Sequence, residues 1–181
     1  MKIKTSLAVL SLLSISELSA GEQTLKGLYL STALWKKNQI SVCWNTTGFT
    51  TEKGWVKDTV EKSWEANSVI DFIGWKDCDK NGADIRIQIA DENPVTTGLG
   101  TQILDNNPGL ILNFTFNNFR KDQCQGSEET CIRNSAVHEF GHALGIAHEQ
   151  NRDDTSSTCA KSGTYGDTTV GSYDVMSIMH L

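Results

Sequence analysis

Apolar and polar residues alternate through Ala83–Ala90 (ADIRIQIA), and a period of two predicts a strand with one covered face. Short β-rich runs predict further strands at Ile40–Trp44, Val69–Trp75, Leu99–Leu104 and Leu110–Phe116. The Leu99–Leu104 run is flanked by glycine and by the turn Asp105–Gly109. Two segments instead carry the 3.6-residue period. Thr50–Ser68 places Val56, Val60 and Trp64 on one face, with Thr51 as N-cap. Thr130–Ala147 does the same with Ile132, Ala136, Phe140, Ala143 and Leu144. The order strand, helix, four strands, helix predicts an α+β domain with two long helices. After Glu149 the chain is rich in Asp, Ser, Thr and Gly as far as Ser172, which predicts irregular structure. Trp55, Trp64 and Trp75 could line a sugar-binding surface, but core packing of a helix on a sheet is the better reading.

Length and ends refine this picture. A chain of 181 residues suits one domain. It opens with basic Lys2 and Lys4, an apolar run Leu7–Ile15, then small Ser19 and Ala20, the order of a secretory signal peptide cleaved after Ala20. The domain proper is then 21–181, secreted or periplasmic. The apolar run is too short to span a bilayer, so no membrane anchor is expected after cleavage. The formal net charge is −6, and loss of Lys2, Lys4 and Glu17 makes it more negative. No Lys/Arg cluster occurs, which disfavours a nucleic-acid or anionic-membrane partner. A monomer is expected.

Five cysteines are an odd number. The local pair Cys124–Cys131 is the preferred bridge and Cys43–Cys78 a reasonable second, leaving Cys159 free or paired beyond Leu181. No C-x-x-C spacing supports a cysteine zinc site. Asn45-Thr-Thr47 and Asn113-Phe-Thr115 match glycosylation sequons. Asp/Asn-rich loops at 105–107 and 151–154 would suit calcium, but no calcium-loop pattern supports it.

The chemistry lies in the second helix. Three of the four histidines, His138, His142 and His148, fall in His138-Glu-Phe-Gly-His-Ala-Leu-Gly-Ile-Ala-His-Glu149. Positions i and i+4 share a helix face, so His138 and His142 can address one ion. Gly145 permits a left-handed turn that brings His148 back as third ligand. Three neutral imidazoles leave one tetrahedral position open, the pattern of a catalytic Zn2+ ion whose water has a pKa of about 7. Glu139 is placed as the general base for that water rather than as a ligand. Surface or core histidines of an ordinary helix would not explain three ligand-type residues, a helix-ending glycine and a base in register.

The spacing H-E-x-x-H-x-x-G-x-x-H is the metzincin signature. With Glu149 after the third histidine, Gln150-Asn-Arg-Asp-Asp154 beyond it and Ser177-Ile-Met-His180 near the end, the chain resembles the astacin family of zinc metallopeptidases. The resemblance implies a mixed five-stranded sheet and an irregular C-terminal segment carrying a Met-turn. In that turn Met179 packs beneath the metal without binding it, Met176 is a core side chain and His180 is no ligand. It implies that Glu149 meets the mature N-terminus; a solvated carboxylate capping the turn remains open beside it. It also implies a substrate-pairing edge strand, which would fall on Gly98, Leu99, Gly100, Thr101, Gln102 and Ile103. Astacins carry a zinc-binding tyrosine after Met-His, where this chain has Leu181. Three histidines and water are then expected, and the chain stops where family members continue. The expected function is a secreted endopeptidase acting on proteins or peptides. A zinc-containing binding module without turnover and a hydrolase of another bond, in a cell-wall peptide or glycoprotein stalk, are the alternatives.

Overall fold

The computed structural model describes residues 26–163 and 165–180. The leader expected at 1–20, the expected mature terminus Gly21 and Leu181 lie outside them. The strands are β1 (Gly27–Tyr29), β2 (Gln39–Trp44), β3 (Asp71–Asp77), β4 (Ile85–Ile89), β5 (Val95–Thr96), β6 (Leu110–Leu112) and β7 (Thr168–Val170); the helices are α1 (Thr50–Ser63), α2 (Lys121–Cys124) and α3 (Glu128–Ala143). Five strands form one sheet in the order β3-β2-β4-β6-β5. All its neighbours run parallel except β5, which is antiparallel to β6 at the edge. β1 and β7 form a separate antiparallel ribbon.

The predicted periods set the core. Ile85, Ile87 and Ile89 of β4 point to one face, where they meet Val56 and Val60 of α1 and Ile132, Ala136, Phe140 and Ala143 of α3. Trp55, Trp64 and Trp75 pack against this core rather than forming an exposed platform. Trp75 reaches it through a β-bulge opposite Val42/Cys43, with φ values of 99° at Gly74 and 56° at Trp75. A Cβ on Gly74 would lie 2.8 Å from the Val42 carbonyl oxygen, so the bulge requires glycine. The bulge stacks the Trp75 ring on Phe140, 5.6 Å between centroids. Cys43–Cys78 and Cys124–Cys131 are both bridged and Cys159 is free.

Three expectations are corrected. Leu99–Leu104 is not a strand: Gly100–Ile103 is a 3-10 helix, so the edge strand expected over Gly98, Leu99, Gly100, Thr101, Gln102 and Ile103 does not form there. Gly100 has a φ of 51°, and a Cβ there would collide with the Ala33 carbonyl oxygen, so the coil passes through a position that only glycine can take although the run's apolar residues read as β. The edge strand is β5. The N-cap of α1 is Phe49, in the left-handed region, not Thr51. Met176 is 86% exposed instead of buried. It stands at the tip of a turn in which Asp174 accepts hydrogen bonds from the Met176 and Ser177 amides. Asn113, half of one sequon, is buried and donates to Asp91 Oδ1 and the Glu92 carbonyl, so its amide serves the fold.

Candidate active site

α3 presents His138 and His142 one turn apart, with ring centroids separated by 4.7 Å. The helix stops because Gly145 takes a φ of 103°. Its amide donates to His142 O and the Ile146 amide to Gly141 O, both at 2.9 Å, which is a Schellman closure. The returning segment is clamped by β1. Leu30 donates to Gly145 O at 2.9 Å and Ala147 to Leu28 O at 2.7 Å. His148 is thereby returned to the other two histidines, with its Nε2 at 3.3 Å from His138 Nε2 and 3.0 Å from His142 Nε2.

Each ring's second nitrogen meets a backbone carbonyl. His138 Nδ1 lies 2.8 Å from Ile178 O, His142 Nδ1 2.8 Å from Ile146 O, and His148 Nδ1 3.0 Å from Ser162 O. A carbonyl only accepts, so each Nδ1 carries the proton and each Nε2 turns a lone pair to a common point. Burial lowers His138 and takes His142 down to about 3, which keeps these imidazoles neutral. The three ligand atoms all fall within 4.8 Å of one another. Three imidazoles in this geometry fit a zinc ion. His180 is outside the group.

Outer contacts hold these rings. Asn151 grips Ser162 twice: its Nδ2 donates to Ser162 O and its Oδ1 accepts from Ser162 N, both at 2.9 Å. This aims the carbonyl that receives His148. Gly163 lies against the same ring, where a Cβ would approach His148 Cε1 to 2.6 Å. Met179 is buried beneath α3 and occupies the space that a side chain on Gly141 would need. Its carbonyl accepts from the Glu149 amide at 2.9 Å. Through Ile178 and Met179 the C-terminal turn therefore touches both the first and third histidine segments. Glu149 is 1% exposed; its Oε1 accepts from the Asp174 amide at 3.1 Å, and Oε2 has no partner among the described residues. Burial raises its carboxyl. It is thus an interior group and not a solvated cap.

Glu139 is also buried, and burial pushes its carboxyl up to about 7. Its Oε2 lies 2.8 Å from Thr96 Oγ1 on β5. Thr96 was not singled out by the sequence, where nothing local distinguishes it from Thr97. A cleft of about 620 Å³ opens over these groups, lined by Val95 and Thr96 of β5, by Ile178 and His180, and by Arg120 and the Cys124–Cys131 bridge.

No protein-family model matches the chain, and no curated protein matches it in sequence. It is similar to solved structures. One structure of myroilysin is 22% identical, with 86% of this chain and 83% of that chain covered and a TM-score of 0.65. A second myroilysin structure is 21% identical, covering 89% and 78%, with a TM-score of 0.58. High choriolytic enzyme 1, a hatching enzyme zinc-protease from Oryzias latipes (medaka fish), is 19% identical, covering 83% and 74%, with a TM-score of 0.51. The chain has the fold of these proteins.

Proposed function

We propose that the chain is a secreted zinc metalloendopeptidase in which His138, His142 and His148 hold the metal and Glu139 is the general base. The carrying observation is the convergence of three carbonyl-oriented histidines with a buried carboxylate beside them in one cleft. Zinc, when bound, supplies a Lewis acid that polarises the scissile carbonyl and acidifies water. Glu139 accepts the proton of the attacking water and returns it to the leaving amine. Gly145 makes the turn that returns His148, Met179 fills the space under the helix, and Glu149 ties the third-histidine segment to the C-terminal turn. The cleft admits a protein or peptide. Secretion of the mature part, residues 21–181, is supported by the basic-apolar-small order of the first twenty residues and by two disulfides.

The test is peptide-library cleavage with zinc content measured alongside. Wild type is expected to cleave and to lose activity to a chelator. Glu139→Gln should keep its zinc and lose about 100- to 10,000-fold in rate. A zinc-loaded wild type that cleaves nothing would replace this reading with the zinc-containing binding module.

A further inference from the structure

We propose that Thr96 is a positioning residue that couples a peptide bound at the sheet edge to the base Glu139; this rests on the peptidase reading above. Two separate features of Thr96 meet here. The first is its backbone. β5 pairs with β6 on one side only, in the register Val95↔Ile111 and Thr96↔Leu110. The Thr97 amide donates to Gly109 O at 3.0 Å, which makes Thr96 the alternate, non-hydrogen-bonded position of this ladder. Its N–H and C=O therefore point away from β6, toward the free edge. Val95 and Thr96 line the cleft, so an extended peptide lying there would take its ladder bonds from Thr96.

The second feature is the side chain. Thr96 is buried, and its hydroxyl lies 2.8 Å from Glu139 Oε2 and 2.9 Å from the Glu139 carbonyl oxygen. A hydroxyl has one proton to give, and the ionised carboxylate is the stronger acceptor. The hydroxyl therefore holds the carboxylate by its Oε2 while its oxygen stays beside the Glu139 main chain. The residue that would bind substrate main chain is also the residue that fixes the carboxylate, and a peptide seated on β5 is registered against Glu139 through a single Cα.

Thr96→Val keeps the shape and the edge but removes the hydroxyl; Thr96→Ser keeps the hydroxyl, and Thr96→Ala serves as a second hydroxyl-free variant should valine not fold. The hydroxyl-free variants should lose about 10- to 100-fold in kcat with KM and zinc content unchanged, and Thr96→Ser should recover most of it. A purely structural role would lower stability without splitting kcat from KM. A second readout needs no turnover. The 13C carboxyl resonance of Glu139 in zinc-loaded protein, assigned by its loss in Glu139→Gln, should shift in Thr96→Val and return in Thr96→Ser. An active wild type whose kcat and Glu139 resonance are both indifferent to Thr96→Val overturns the assignment. An inert wild type overturns the peptidase reading and the coupling with it, even if the resonance shifts.

Discussion

Arg152 offers the sharpest test of how the site is braced. Its side chain is fully buried, and all five guanidinium N–H groups are used. Nε and Nη2 clasp Asp154 at 2.8 Å each, Nη1 donates to Gly27 O at 3.1 Å and Val170 O at 3.0 Å, and Nη2 also donates to Gly171 O at 2.7 Å. Glu149 Oε1 stands 3.5 Å from Nε. The guanidinium therefore joins both strands of the β1–β7 ribbon to the segment that follows His148. Arg152→Met fills much of the volume but strands three carbonyls and leaves the buried Glu149 without its cation. Each stranded group costs about 1–3 kcal/mol, less where water can enter. Breaking a buried pair from one side costs about 3–5 kcal/mol, and that is the expected loss. It is a large share of a domain's usual stability of about 5–15 kcal/mol. Because β1 also clamps Gly145 and Ala147, zinc affinity should fall with it. Urea denaturation of the zinc-loaded and chelated protein measures both effects. Arg152→Lys keeps the charge without the fork and should recover less than half of the loss. A loss below about 1 kcal/mol in Arg152→Met, with an unchanged denaturant slope, would refute the bracing role.

Two other outcomes follow from the same geometry. Asn151→Ala should release the Ser162 carbonyl that aims His148 and weaken zinc binding by about 10- to 100-fold, read by competition with a chromophoric chelator. Arg152 holds the Asp154 carboxyl down at about 2, from a usual value of 3.8. A lowered carboxylate stabilises fully above its unfolded value and loses that contribution as pH falls through its folded one. The stability advantage of wild type over Asp154→Asn, measured on chelated protein, should therefore be constant above about pH 5 and shrink toward pH 2. An advantage that grows on acidification would contradict the assignment.

Much of the site was legible because its information is local. The spacing of His138 and His142 needs only a helix, and the turn that starts the return of His148 needs only a glycine that can take a positive φ. The strand at Ile85–Ile89 is written in its alternation, and the Cys124–Cys131 bridge in its short separation. The coil at Leu99–Leu104 is not legible because its apolar residues suit a strand and a tight coil alike, and nothing local shows that Gly100 takes a positive φ beside the Ala33 carbonyl. The exposure of Met176 is not legible because one turn's hydrogen bonds, not hydrophobicity, set it.

The sequence by itself determined the helix that carries His138, His142 and the proposed base Glu139, since backbone periodicity places those side chains without reference to the rest of the chain. Only the tertiary structure decided what surrounds them. Thr96 reaches Glu139 across 43 residues, Arg152 reaches Gly27 across 125, and Ile178 receives His138 across 40. Such contacts depend on which strand lies at the edge and where the chain crosses itself. No local pattern records them, because each partner alone is an ordinary threonine, arginine or carbonyl until folding supplies the other.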